Sequence, residues 1–264
     1  MVELCSLFSG SSGNSTFVKA GDTNILVDCG ESGSHIEEAL RQIGVEPGSL
    51  NCIFITHEHI DHIKGAGILS RRYNLPIYAT VGTWQRMITK IGKINADNVR
   101  YIKGGVPFGA FDAVVTPFST PHDSTESVGF TIEHNSKRAS IATDIGVMNK
   151  TVYENIKASD IVLLESNHDV DMLLHGPYSP ELKRRVRSSV GHLSNDDCAL
   201  TCSHLLDTGT KHIILGHLSL DNNTPSVAYA TTEEHLVMKG AHIGSDVTLE
   251  VASRYAPSTK YTVR

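Results

Sequence analysis

The chain reads as an α/β fold of four layers, an αββα sandwich in which two β-sheets pack face to face with helices outside. Runs of strand-like segments are followed by helices once in each half, the pattern such layering requires. No Pro/Ser-rich tract, charge block or low-complexity run interrupts the 264 residues, so positions 1–264 are expected to form one domain. A dense set of histidine and acidic residues, Thr56-His57-Glu58-His59-Ile60-Asp61-His62, directly follows the apolar run Cys52-Ile53-Phe54-Ile55 and marks a site at the mouth of a strand.

Residues 2–8, 16–20 and 24–28 are short runs separated by Gly/Ser/Asp turns and read as strands. Residues 34–43 read as a helix, with Ile36, Leu40 and Ile43 on one stripe, Ser34 to cap the start and Gly44 to end it. A helix over 62–73, a strand over 76–79 and a helix over 81–92 follow the histidine loop. Strand-like segments come near 99–102, 112–118, 127–134 and 138–142, then a helix near 149–157 and a strand at 160–165. Helices at 180–188 and 195–207 flank the turn at His192, and Ser194 with Asp197 three residues later marks a helix start. Strand 211–216, helix 224–238 and a last strand at 246–251 complete the reading.

With 40% hydrophobic and 20% charged residues the chain can bury a full core. Its first residues lack the basic start and apolar centre of a signal peptide, and no apolar stretch approaches the roughly 18 residues of a membrane span. A soluble, cytoplasmic protein without a membrane partner is expected. Five cysteines, scattered and odd in number, suggest buried thiols in a reducing compartment rather than a disulfide framework. Cys198 and Cys202 share a helix face but lack the spacing of a zinc knuckle.

The spacing in the histidine loop carries chemistry. In extended chain, residues two apart point the same way, so His57 and His59 can reach one cation. If a helix begins after Ile60, Asp61 and His62 are displaced and can reach a second. Imidazole and carboxylate donors suit zinc, manganese or iron rather than calcium. Downstream, His192 lies beside a helix N-terminus, where unpaired N–H groups make a natural phosphate site; a solvent-exposed capping histidine is the alternative. The Gly10–Ser15 segment, with Ser11, Ser12 and Asn14, can form an anion-binding turn or an ordinary tight loop. In Lys183-Arg184-Arg185-x-Arg187, Arg184 and Arg187 share a face that either tracks a phosphate backbone or is simply solvated. His168 can contact substrate or support the core.

The motif His57-x-His59-x-Asp61-His62 resembles the signature of the metallo-β-lactamase fold hydrolases. The further ligands expected of that family follow in order, each after a strand-like run: His122 in Thr120-Pro121-His122-Asp123, Asp144 in Ala142-Thr143-Asp144-Ile145, and His217 in Gly216-His217-Leu218. The segments Leu7–Ser15, Val27-Asp28-Cys29-Gly30, Glu165-Ser166-Asn167-His168-Asp169 and Gly191–Asn195 are similar to the bacterial YycJ (WalJ) group, related to ribonuclease Z and other nucleic-acid phosphodiesterases.

The resemblance implies two divalent ions: His57, His59 and His122 on the first, Asp61, His62 and His217 on the second, and Asp144 bridging. Asp61 is counted with His192 among the catalytic residues. Asp28 would brace the metal loop by hydrogen bonds, or merely turn the strand end. His192 would protonate the leaving oxygen, as a histidine in a similar context does in ribonuclease Z-like enzymes. The formal charge of −6 argues against a nucleic-acid partner, yet two divalent cations with Asp61, Asp144 and a bridging hydroxide amount to about +1 at the centre. The 72 residues between Asp144 and His217 leave no room for the inserted domain of larger RNA-processing relatives. The long arm by which ribonuclease Z clamps tRNA is not evident either. The expectation is therefore a dinuclear phosphodiesterase using a metal-bridged hydroxide, a 5′-to-3′ exonuclease with DNA favoured over RNA. The alternative is a glyoxalase II-like hydrolase of a thioester or lactone. Relatives of that kind carry a Gly-His-Thr-Pro-Gly-type third-ligand segment, whereas this chain has Pro121-His122-Asp123-Ser124.

Overall fold

In a computed structural model describing residues 1–264, alternating side chains build two cores on each sheet. In β4 (Cys52–Phe54), Cys52 and Phe54 face one apolar cluster and Ile53 another; in β12 (His212–Gly216), Ile214 and Ile213/Leu215 divide the same way. Strands apolar on both faces must be covered on both sides, and this is the origin of the four layers.

The first sheet combines β1 (Val2–Phe8), β2 (Ser15–Ala20), β3 (Thr23–Val27), β4, β5 (Ile77–Thr80), β6 (Val99–Ile102) and β14 (Tyr261–Val263), in the order β14-β1-β2-β3-β4-β5-β6. The second combines β7 (Phe108–Ala110), β8 (Ala113–Ser119), β9 (Val128–His134), β10 (Lys137–Ala142), β11 (Ile161–Glu165), β12 and β13 (Thr248–Val251), in the order β13-β12-β11-β10-β9-β8-β7. Each sheet is antiparallel on one side and parallel on the other, with β3-β4-β5-β6 and β10-β11-β12-β13 as the parallel halves. The sheets meet through a shared core that includes Leu4, Val18, Phe54, Phe130, Leu163 and Ile214. Helices α1 (Gly33–Gln42), α3 (Ala66–Tyr73) and α4 (Val81–Met87) cover the first sheet; α5 (Lys150–Ile156), α8 (Asn195–Leu206) and α9 (Pro225–Met238) cover the second. The αββα sandwich is thus the observed architecture.

Several boundaries differ from the sequence reading. The expected helix over 62–73 is two pieces, α2 (Ile60–Ile63) and α3, separated at Gly65. There the amide of Gly65 donates to the carbonyl of Cys29 at 2.7 Å, and a Cβ would lie 2.4 Å from the Glu31 carbonyl oxygen. Close backbone approach, not helix propensity, sets the break. Ser32, not Ser34, caps α1, its hydroxyl accepting from the amide of His35 at 3.3 Å. α4 ends at Met87 rather than 92. The strands β7 and β14 were not expected, since three residues are too few to show a period; β14 pairs antiparallel with β1 through Val2 and Val263. The short helices α6 (Val170–His175) and α7 (Pro180–Val186) lie between β11 and α8, and α6 was likewise unexpected. No helix is long and apolar enough to cross a membrane.

Candidate metal centre

Parallel strands deliver their C-terminal ends to one edge of a sheet, and the site is assembled there from loops of both sheets. Three strand-end residues, Asp28, Asp144 and His217, adopt left-handed backbone conformations with φ of 61°, 56° and 55°. Such a conformation costs a residue with a Cβ about 1–3 kcal/mol. It turns the chain sharply as each strand leaves its sheet.

The imidazoles of His57, His59 and His122 form one group and His57, His62 and Asp144 another, with donor atoms within 4.8 Å of one another. His57 Nε2 lies 3.1 Å from His59 Nδ1. Asp144 divides its oxygens: Oδ2 is 3.3 Å from His62 Nε2 and 3.1 Å from His217 Nδ1, and Oδ1 is 3.6 Å from His122 Nε2. Asp61 Oδ2 lies 3.6 Å from His62 Nε2. Six of the seven residues expected as ligands fall in such groups, His217 in one with Asp144, Glu165 and His192, while Asp61 approaches the set only beside His62.

Three buried atoms at the centre, His122 Nε2, Asp144 Oδ2 and His217 Nδ1, make no hydrogen bond. The Asp144–His217 pair is close but not oriented as one. Buried polar atoms are rarely left unpaired, and a shared cation satisfies such a set. Burial holds His57 well below the ordinary histidine range, aided by its imidazole neighbours, and burial also lowers His122. Both are kept neutral, the form that binds metal. Burial opposes charge on His62 as well, but Asp28, Asp144 and Asp61 outweigh it and lift His62 well above its usual value. Burial likewise opposes charge on Asp144, yet His217 and His62 hold it well below the carboxylate range. The donor set fits divalent ions.

Supporting contacts fix which ring nitrogen faces inward. Asp28 accepts from the amide and hydroxyl of Thr56 at 2.9 and 2.8 Å and lies 2.8 Å from His62 Nδ1, leaving His62 Nε2 toward the centre. His122 Nδ1 lies 3.2 Å from the Gly191 carbonyl. Glu58, given no role in the sequence reading, accepts from the amide and hydroxyl of Thr125 at 2.9 and 2.8 Å, tying the histidine loop to the segment after His122.

A second residue without an assigned role is Glu165, at the end of β11. It is fully buried; Oε1 lies 2.8 Å from His192 Nδ1 and 3.4 Å from His217 Nδ1, and Oε2 accepts from the amide of Ile145 at 2.6 Å. Burial alone would depress His192, but Glu165, with Asp144 and Asp123, outweighs it and pushes the imidazole up to about 9. Ser194 caps α8 by accepting from the amide of Asp197 at 3.1 Å, so His192 does sit just before a helix. Only the position of an acidic residue at a strand end signalled Glu165 in the sequence.

The residues expected to contact substrate sit in different surroundings. Asn14 is buried, and its side-chain amide is spent on the Gly10 carbonyl at 3.0 Å and Asp61 Oδ2 at 3.3 Å, so it braces the metal loop. His168 is 2% exposed and driven down to about 4 by burial, so it supports the core behind the His192 turn. Arg184 is 71% exposed and pairs with Glu181 of its own helix at 3.3 Å, and Arg187 lies exposed just beyond that helix. Arg185 instead reaches the centre's rim, its Nε donating to Asp123 Oδ2 at 2.5 Å. Leu182 and Val186 set the inner face of α7, and Arg185 falls at its border. Ser11 and Ser12 are exposed on the turn closed by the Gly13 amide on the Gly10 carbonyl at 2.9 Å, and Ser11 lines a cavity shared with His192.

Residues 23–218 match the family model described as a beta-lactamase superfamily domain. The chain is 38% identical over 238 residues to a Bacillus anthracis protein named exodeoxyribonuclease YycJ, covering 90% of each. It is 36% identical over 242 residues to exodeoxyribonuclease WalJ of Streptococcus pneumoniae, covering 91% of this chain and 90% of that one. Zn(2+)-bound PqqB from Methylobacterium extorquens superposes with a TM-score of 0.72 at 16% identity, over 97% of this chain and 99% of that chain, a likeness of fold.

Proposed function

From the premise that the chain belongs to the metallo-β-lactamase superfamily, as a metal-dependent hydrolase related to YycJ and WalJ, we propose that it is a dinuclear 5′-to-3′ exonuclease acting on DNA. The observation that carries this reading is the Glu165–His192 pair set against the ligand cluster: His192 Nδ1 is 2.8 Å from Glu165 and 3.8 Å from Asp144. With Nδ1 donating to Glu165, the imidazole is oriented and charged, and Nε2–H is left as a proton donor. Such a donor suits hydrolysis in which a poor leaving group, a sugar oxygen, must depart with a proton.

His57, His59 and His122 would hold one ion, Asp61, His62 and His217 the other, with Asp144 between them. Zinc, manganese or iron bound there would supply a water-derived nucleophile near neutral pH and would neutralise charge growing on the phosphoryl oxygens. Asp28 orients His62, Glu58 ties the histidine loop to the His122 segment, and Glu165 orients His192. The test is digestion of 5′- and 3′-end-labelled DNA and RNA with each metal, beside a thioester and nitrocefin. Stepwise release from the 5′ end of DNA is expected; turnover of the thioester alone would overturn the reading.

A further inference from the structure

A cavity of about 190 Å³ opens against His192, lined also by Ser11, Asn167, Tyr178, Arg185 and Ser219. None of its lining side chains is a carboxylate, and Arg185 brings a positive charge to it. Leu182 and Val186 of α7 complete its wall. We propose that this cavity receives the departing 5′-terminal nucleotide, with Arg185 on its terminal phosphate and Tyr178 against its sugar and base.

The inference rests on the nuclease reading above and supplies its polarity. Hydrolysis joins a water-derived oxygen to phosphorus and breaks the P–O3′ bond, and O3′ leaves with the proton of His192. The residue carrying O3′ must then occupy the space that His192 borders. In a strand shortened from its 5′ end, that residue is the terminal nucleotide, released with its 5′-phosphate and a new 3′-hydroxyl. The remaining strand keeps the phosphorus as its new 5′-phosphate.

Arg185 is built for the terminal phosphate. Its Nε is anchored on Asp123, whose other oxygen lies 3.4 Å from His122 Nε2, so the guanidinium is held at a set place beside the centre. Nη1 and Nη2 make no hydrogen bond, and their fork matches two phosphate oxygens. Tyr178 lies between α6 and α7, half-buried, and its ring can stack on a base without reading sequence. Ser11 adds a hydroxyl from the opposite loop.

The test measures binding of metal-loaded protein to single-stranded DNA ending in a 5′-phosphate or a 5′-hydroxyl, each with a phosphorothioate terminal linkage to slow cleavage. Wild type should prefer the phosphate by about tenfold or more, the scale of one charge-assisted contact. Arg185→Gln should erase the preference, and Arg185→Lys should keep part of it. Arg185 is 57% exposed, so these changes leave the core untouched. Tyr178→Ala should weaken both ends alike, by about 1–3 kcal/mol's worth of stacking, roughly 5-fold or more. Equal binding of both ends by wild type, or a preference surviving in Arg185→Gln, overturns the proposal. Failure of the nuclease reading is seen separately, as bis-p-nitrophenyl phosphate turnover with no shortening of either labelled DNA end.

Discussion

His192 shows how a single side chain acquires a role from its neighbours. Replacing His192 with Ala should preserve both metals while lowering kcat on DNA by about 10²–10⁴-fold, the range for a lost general acid. A p-nitrophenyl phosphodiester, whose leaving group needs little protonation, should lose much less; equal losses would indicate a structural role. Glu165→Gln removes the nearest of the carboxylate charges that lift His192 to about 9, so the imidazole loses its proton at lower pH. The alkaline limb of the pH–rate profile should shift downward, and an unmoved limb would separate Glu165 from the proton donor. At Asp144, the two oxygens face different histidines, so Asp144→Asn should lower metal occupancy toward one ion and abolish cleavage of phosphodiesters. Two bound metals at a normal rate would refute the bridging assignment.

At the level of elements, close backbone packing holds the metal loop. The carbonyl of Asp61 accepts from the amide of Asn14 at 2.8 Å, and a Cβ on Gly30 would lie only 1.7 Å from that oxygen. Gly30→Ala must therefore displace the loop, at a cost of about 1–3 kcal/mol typical of overpacking. A lower denaturation midpoint together with reduced metal content is expected, and wild-type values for both would show that the contact yields freely. The helix α7 gives a contrasting case, because its basic residues do not share one fate. Arg184 and Arg187 changed together to Gln should leave the log–log salt slope of DNA binding almost unaltered. A decrease of about 0.7–0.9 per residue would restore their backbone-tracking role.

Across the whole molecule, the proposed ligands come from loops of both sheets, so bound metal would act as a clamp between them. Free metal at a hundred times Kd stabilises a folded protein by about 2.7 kcal/mol, several degrees of Tm for a chain of this size. Chelation should lower Tm by that order and re-addition should restore it, with a smaller shift in Asp144→Asn. An unchanged Tm would mean that the loops hold their places without metal.

The layering and the ligands were legible in the sequence because both are local patterns. Short continuous apolar runs predict strands buried on both faces, and ligands placed within six residues or just after such runs announce a site whatever the distant chain does. Element boundaries were less legible: Gly65 breaks a helix because of the Glu31 carbonyl, a neighbour distant in sequence. The same reason hid Glu165, whose contact with His192 exists only because β11 carries it there, and the burial of Asn14 and His168, which depends on loops packed from elsewhere. It also decides that Arg185, rather than Arg184 or Arg187, pairs with Asp123, since helical spacing tells which residues share a face but not which face meets Asp123. Sequence by itself determined the fold class and the residues able to bind metal, through short-range periodicity and spacing. Tertiary structure alone decided which polar groups are buried together, because long-range packing sets both their environment and their partners.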